Sequence, residues 1–317
     1  MTIATHTWAC LGRILDPGAL PGRPDWWVSH AANPIALPFN DNHVQVLLNF
    51  RDGDNRSGIA AVTLELGPQP AIVAIGAQPL LMPGEPGGFD EHGVSLGNVV
   101  TVGNQQYLYY VGWQRQTDIP WRCWLGLATR PAGEPDTPFT RYSKTPILGR
   151  SAVDPHSLSY PWVIHNADGW RMWYGSSTVW EPGTNRDPIR MEHILRHATS
   201  ADGVHWQPEA TPALNLDSQR PDIFAYSRPC VVRDGERTEL WYSERGSDYQ
   251  LALATRTREQ PWQRAETTGL PEDREAWESE ARCYAHVFTH GGQRWMLYNG
   301  NGYGRTGIGL ARQPLTA

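Results

Sequence analysis

Carboxylates, histidines, tyrosines and arginines gather in five short segments of this chain, each at or just ahead of a strand-forming run. They are S-H-A-A-N-P (Ser29 to Pro34), F-D-E-H-G-V-S-L-G-N (Phe89 to Asn98), D-P-H-S-L-S-Y-P (Asp154 to Pro161), D-I-F-A-Y-S-R-P (Asp222 to Pro229) and E-S-E-A-R-C-Y-A (Glu278 to Ala285). Two carboxyl groups on opposite walls of a site can serve as general acid and general base once their surroundings separate their pKa values. Asp90, Glu91, Asp154, Glu278 and Glu280 are the available acids, and His156 is a further proton carrier. The favoured pair is Asp90 or Glu91 against Glu280. His30, Asn33, His92, Tyr160, Arg228, Arg282 and Tyr284 are the candidates for holding a substrate. Tyrosine rings offer flat apolar faces and arginine suits phosphate or carboxylate. The competing reading is that the acids cap turns or pair with Arg228 and Arg282.

Other chemistries find less support. His30, His92, His156 and His286 come from separate segments and H-E-x-x-H is absent, so hydrogen bonding is favoured over zinc, and neither a metal nor a cofactor is expected. N-G-N-G-Y-G-R-T-G (Asn299 to Gly307) lacks the Lys-Ser/Thr ending of a phosphate loop and reads as a hairpin. No G-x-S-x-G elbow occurs. A net charge of −6 without a basic run argues against nucleic acid. No stretch approaches the roughly 18 apolar residues of a membrane helix. Residues 1–9 lack a basic and then apolar leader, and Cys10, Cys123, Cys230 and Cys283 are scattered, so a reducing cytoplasmic setting is expected. The expected partner is a small molecule or glycan.

The elements that must position these residues form a repeat. An apolar strand, a polar turn, a strand ending in aromatics and a strand of small and β-branched residues recur along the chain. The clearest copy runs P-W-V-I-H (Pro161 to His165), W-R-M-W-Y-G (Trp170 to Gly175) and H-I-L-R-H-A-T-S (His193 to Ser200). Others start at Asn98, Pro229 and Ala285, and the least regular copy contains V-Q-V-L-L-N-F (Val44 to Phe50). Equivalent positions lie roughly 55 to 70 residues apart, longer than the ~40–45 of a WD40 blade. The repeat predicts an all-β fold, a five-bladed β-propeller spanning 1–317 as one domain, over a sandwich or β-helix. The last copy runs out after its third strand. Trp8 to Leu15 is expected to supply the missing outer strand and close the last blade.

On these features the chain resembles the five-bladed glycosidase clan of arabinanases, xylosidases, invertases and levansucrases. F-D-E-H-G-V (Phe89 to Val94) and M-L-Y-N-G-N-G-Y-G-R-T-G-I-G-L-A (Met296 to Ala311) are also similar to mannoside phosphorylases. The resemblance implies a glycoside hydrolase-like enzyme acting on a sugar in the central funnel with three carboxylates. Here A-N-P places Asn33 where that clan carries Asp, and L-G-N (Leu96 to Asn98) and S-R-P (Ser227 to Pro229) replace its other acidic motifs. Asn cannot act as a base, and neither Ser nor Arg replaces a Glu acid. Two alternatives therefore stay open: a non-hydrolytic isomerase, lyase or cyclase, and a non-catalytic glycan-binding propeller.

Overall fold

The computed structural model describes residues 7–182 and 189–314, and nearly all of its regular structure is antiparallel strand. The first strand, β1 (Ala9–Leu15), is followed by a meander of β2 (Ser29–Pro38), β3 (His43–Arg51), β4 (Ser57–Glu65) and β5 (Ala71–Ile75). The second meander is β6 (Gly93–Val102), β7 (Gln105–Arg115), β8 (Trp121–Pro131) and β9 (Thr140–Arg141). The third is β10 (Leu158–Asn166), β11 (Gly169–Pro182), β12 (Ile189–Ser200) and β13 (Trp206–Pro208). The fourth is β14 (Ala225–Asp234), β15 (Arg237–Arg245), β16 (Tyr249–Thr257) and β17 (Gln263–Arg264). The fifth holds β18 (Cys283–His290), β19 (Gln293–Asn299) and β20 (Ile308–Pro314), and β1 lies against β20 with Ala9 opposite Arg312. The N-terminal segment thus supplies the strand that the last copy of the repeat lacks. No helix among the described residues is long and apolar enough to cross a membrane.

The leading strands β2, β6, β10, β14 and β18 touch one another in cyclic order, β18 returning to β2. Single side chains tie them together. Asn98 on β6 clasps the Val163 backbone of β10 with both amide atoms, each at 2.8 Å. Asn49 on β3 accepts from Leu96 N at 2.8 Å and donates to Val94 O at 2.9 Å. His286 on β18 accepts from Ala36 N at 2.7 Å. Asn98, in the L-G-N segment where the resembled clan carries an acid, therefore joins strands.

The aromatic second strands have a packing reason. Tyr110, Tyr242 and Tyr298 are buried on β7, β15 and β19, and each faces a small cross-strand partner: Gly126, Ala252 and Gly309. A Cβ at Gly126 would meet the Tyr110 ring at 2.4 Å, so the ring fits only over glycine. Burial of each ring contributes on the order of 2 kcal/mol, which explains why the third strands read as small residues.

Every leading strand carries a register shift at the same point: 32–35, 96–98, 159–162, 227–230 and 283–286. Bulges re-aim side chains, and here they put non-glycine residues at positive φ. Those residues are Asn33 (52°), Tyr160 (37°), Arg228 (54°) and Tyr284 (60°). The second meander uses Gly97, where a Cβ would lie 2.4 Å from Pro161 O. Left-handed backbone at a non-glycine residue costs about 1–3 kcal/mol and persists where the surroundings enforce it. Four such residues meet around one axis.

Two buried histidines make the fold acid-sensitive. Burial pushes the pKa of His286 and of His193 down to about 3, helped by Arg228 and Arg245 respectively. Both stay neutral in the folded chain, while the unfolded chain protonates them near pH 6.5. Their stabilisation is complete above that value and is lost as pH falls from about 6.5 towards 3. We expect the Tm to start falling between pH 6.5 and 5, before most carboxylates titrate. A Tm that stays level across that interval in circular-dichroism melts would contradict the assignment.

Candidate functional site

The bulges bring residues from different meanders to one small cavity, about 80 Å³ in volume. Its wall includes His30, Asn33, Asn49, Arg51, Ser57, Ser95, Tyr160, Tyr284 and Tyr303. Tyr160 and Tyr284 face each other with ring centroids 5.4 Å apart, and Tyr249 packs on Tyr284 at 5.3 Å. Asn33 donates from Nδ2 to Asn49 Oδ1 at 3.0 Å, and its own Oδ1 is a buried acceptor with no hydrogen-bond partner among the described residues. Tyr303 also lines a neighbouring depression of about 210 Å³ with Arg245, Asp248, Tyr249 and Glu280. A larger groove of about 740 Å³ lies along the outer edge of the first meander between Phe39 and Asp136 and shares none of these residues.

Arg228 closes the axis beneath. Its guanidinium is buried and donates to Gly97 O at 2.5 Å, Asn33 O at 3.1 Å and Pro34 O at 3.3 Å, with the Tyr160 ring centroid 5.7 Å away. One side chain from the fourth meander thus holds the bulges of the first and second. Burial lowers its pKa to about 10, so it remains a cation at neutral pH. Burial likewise lowers that of Arg51. The pKa of His30 falls to about 4, first through burial and then through Arg51 and Arg305, leaving it neutral. Burial raises the hydroxyls of Tyr160 and Tyr284, which stay protonated and can donate.

No Asp or Glu lines the axial cavity. Of the substrate-binding candidates, His30, Asn33, Tyr160 and Tyr284 come together there, and Arg228 lies below them. Arg282 does not: it is clamped by Glu278 through bonds of 2.8 and 2.7 Å and donates to the carbonyls of Pro271 and Asp273. His92 packs beside Trp113 at 6.4 Å and accepts from Arg115 N at 3.3 Å.

The catalytic candidates scatter. Asp90 is buried within its own meander, where Tyr110 Oη donates to it at 3.0 Å and Arg141 Nε at 2.8 Å. Asp154 is likewise buried, accepting from Tyr174 Oη at 2.8 Å and Ser176 Oγ at 2.6 Å, with Arg196 Nε at 3.4 Å. Acid and tyrosine are 20 residues apart in both cases, and Glu278 precedes Tyr298 by the same interval. Asp90 and Asp154 thus tie the entries of the second and third meanders to their second strands. Glu91 accepts from Gln114 Nε2 at 2.9 Å and Gly87 N at 2.8 Å, which hold its carboxylate below the usual pKa. His156 is half-buried and outside the cavity. The expected pairing of Asp90 or Glu91 with Glu280 is not assembled within either depression, for only Glu280 lines one.

Asn49, Arg51, Ser57, Ser95 and Tyr303 are lining residues that the sequence reading passed over. The available signal was strand pairing: Arg51 lies opposite Ser29 and Asn49 opposite Ala32, so the end of β3 reaches the mouth with the start of β2. Among the described residues, no group of three or more His, Cys, Asp or Glu is placed to hold a metal ion.

The whole chain can be laid over glycoside hydrolases of the propeller type, which defines the class of its fold. One solved structure described as a glycoside hydrolase matches with TM-score 0.75 and 13% identity, covering 99% of this chain and 93% of its own. Inulosucrase from Halalkalicoccus jeotgali bound to kestose matches with TM-score 0.65 and 13% identity, covering 100% and 91%. No protein-family model matches the sequence. Uncharacterized protein MT1551 and Uncharacterized protein Rv1502, from two strains of Mycobacterium tuberculosis, are each 41% identical over 305 residues, 96% of this chain and 98% of theirs. The chain belongs to the family of these two proteins.

Proposed function

We propose that residues 1–317 form a single five-bladed β-propeller domain and that the protein is carbohydrate-active, taking a sugar at the axial mouth. The cyclic contacts of the five leading strands support the blade count. The observation that carries the ligand class is the wall itself. Tyr303 exposes its ring and Tyr160 part of its own, with the buried Tyr284 packed behind Tyr160, while the buried Asn33 Oδ1 lacks a protein donor that a hydroxyl would supply. Four free cysteines fit a reducing, cytoplasmic setting. Of the catalytic candidates we retain Glu280, an exposed carboxylate in the depression that Tyr303 shares with the axial cavity.

Calorimetry and turnover assays on a panel of mono- and oligosaccharides test this reading. Tyr160→Ala is expected to weaken sugar binding about 10–100-fold, the loss of one buried aromatic contact, and Glu280→Gln to abolish turnover while leaving affinity intact. Undiminished affinity in the first variant would move the site elsewhere, and undiminished turnover in the second would remove Glu280 from the chemistry. A second reading, a non-hydrolytic propeller enzyme or a glycan binder without turnover, is favoured by the lack of any carboxylate on the axial wall. Saturable sugar binding with no product across the panel supports the non-catalytic form.

A further inference from the structure

The axial cavity combines a cationic group with an absence of lining acids. Arg51 is half-buried on its wall, with its guanidinium 5.1 Å from the Trp113 ring centroid and one nitrogen on Asn55 O at 3.1 Å. No carboxylate forms an ion pair with Arg51 among the described residues, although the charge of Asp52 acts on it. Its chain neighbour Asp52 accepts instead from Asp54 N at 3.0 Å, Arg56 N at 2.8 Å and Arg56 Nε at 3.0 Å, which turns it into its own loop. Other cations add to the field: Arg51 and Arg305 both act on His30, Arg115 acts on Arg51, and Arg228 lies behind the wall on the Asn33 carbonyl. The neutral groups around them, the hydroxyl of Tyr160 and the ring of His30, can donate hydrogen bonds, while Ser57 already donates to Val94 O at 2.7 Å.

A cation held partly out of water, whose nearest carboxylate is shared with another arginine, gains from an anion that joins it. Arginine presents a planar fork that matches a carboxylate or phosphate edge. We propose that the sugar taken at this mouth carries an anionic group, a carboxylate or a phosphate, which Arg51 receives while the tyrosines hold the ring. The inference rests on the sugar-binding reading above and adds the charge of the substrate to it.

The test is calorimetry on the full chain with glucuronate, galacturonate, glucose 6-phosphate, their neutral parent sugars and inorganic phosphate alone. At least one acidic sugar is expected to bind about tenfold or more tighter than its neutral parent, with the preference shrinking as salt rises. In Arg51→Gln the preference falls to within about twofold, the acidic sugar losing far more affinity than its neutral parent. Arg51→Lys, which keeps the charge, retains part of the preference, and unchanged melting curves show that both variants fold. Equal binding of acidic and neutral sugars overturns this inference and leaves the sugar site standing. Inorganic phosphate binding as tightly as the sugar phosphate overturns the sugar-acid assignment in favour of a simple anion site. Failure of every sugar, charged or neutral, overturns the sugar-binding reading itself.

Discussion

Asp154→Asn is expected to lower stability by about 3 kcal/mol, a Tm drop of roughly 4–5 °C for a chain of this size, while ligand affinity per folded molecule stays unchanged. Asp154 is fully buried and its two oxygens receive Tyr174 Oη, Ser176 Oγ and the charge of Arg196. Asparagine keeps the shape but turns an NH2 towards one of those donors and leaves the Arg196 cation without its counter-charge. Removing one member of a buried pair typically costs 3–5 kcal/mol, and the partial exposure of Arg196 keeps the figure near the lower end. Asp90→Asn should behave in the same way through Tyr110 and Arg141. A catalytic acid would give the opposite pattern, with turnover lost and melting unchanged. Thermal melts read beside a binding isotherm separate the two roles in one preparation.

Arg228→Met should cost about 2–4 kcal/mol and also weaken binding at the mouth. Two terms oppose each other. Carbonyls of Gly97, Asn33 and Pro34 lose their donor, at about 1–3 kcal/mol for each buried group left unpaired. Against this, methionine no longer requires a cation to be desolvated, a penalty visible in the lowering of the Arg228 pKa to about 10. Three orphaned acceptors outweigh one relieved charge. The bulges at Asn33 and Gly97 then lose their common anchor, so the wall that includes Asn33 loosens. Lysine should rescue only in part, since a compact ammonium cannot span three carbonyls as a planar fork does. A variant that melts like the parent would show that the bulges hold without this contact.

The strand repeat was legible because it follows from packing. A tyrosine over a glycine or alanine on the next strand leaves a pattern of aromatic and then small residues in any sequence. Half of the site was legible for a related reason: residues beside the X-P steps fall at the bulges, which led to Asn33, Tyr160 and Arg228, with Tyr284 at the equivalent point before Ala285. Type and position alone do not distinguish a carboxylate that faces a cavity from one that faces its own meander, as Asp90 and Asp154 do. For Asp90 and Asp154 the buried partner is the tyrosine 20 residues on, whereas Asp222, at the same interval from Tyr242, is exposed, so the spacing alone does not decide. Arg51 and Asn49 were out of reach of a search confined to segments preceding the leading strands. They arrive from the end of β3, and only the pairing register brings them to the axis.

The pairing of β1 with β20 has a consequence in time. β1 is made roughly 300 residues before its hydrogen-bonding partner, with Ala9 set against Arg312. At about 5–20 residues per second, β1 waits roughly 15–60 s on the ribosome for that partner. During the wait it is a short, half-apolar ribbon with no edge to join, and the four meanders made meanwhile have no fifth to complete their circuit. Arrival of β20 therefore acts as a commitment step, and anything that delays it exposes unpaired edges to other nascent chains.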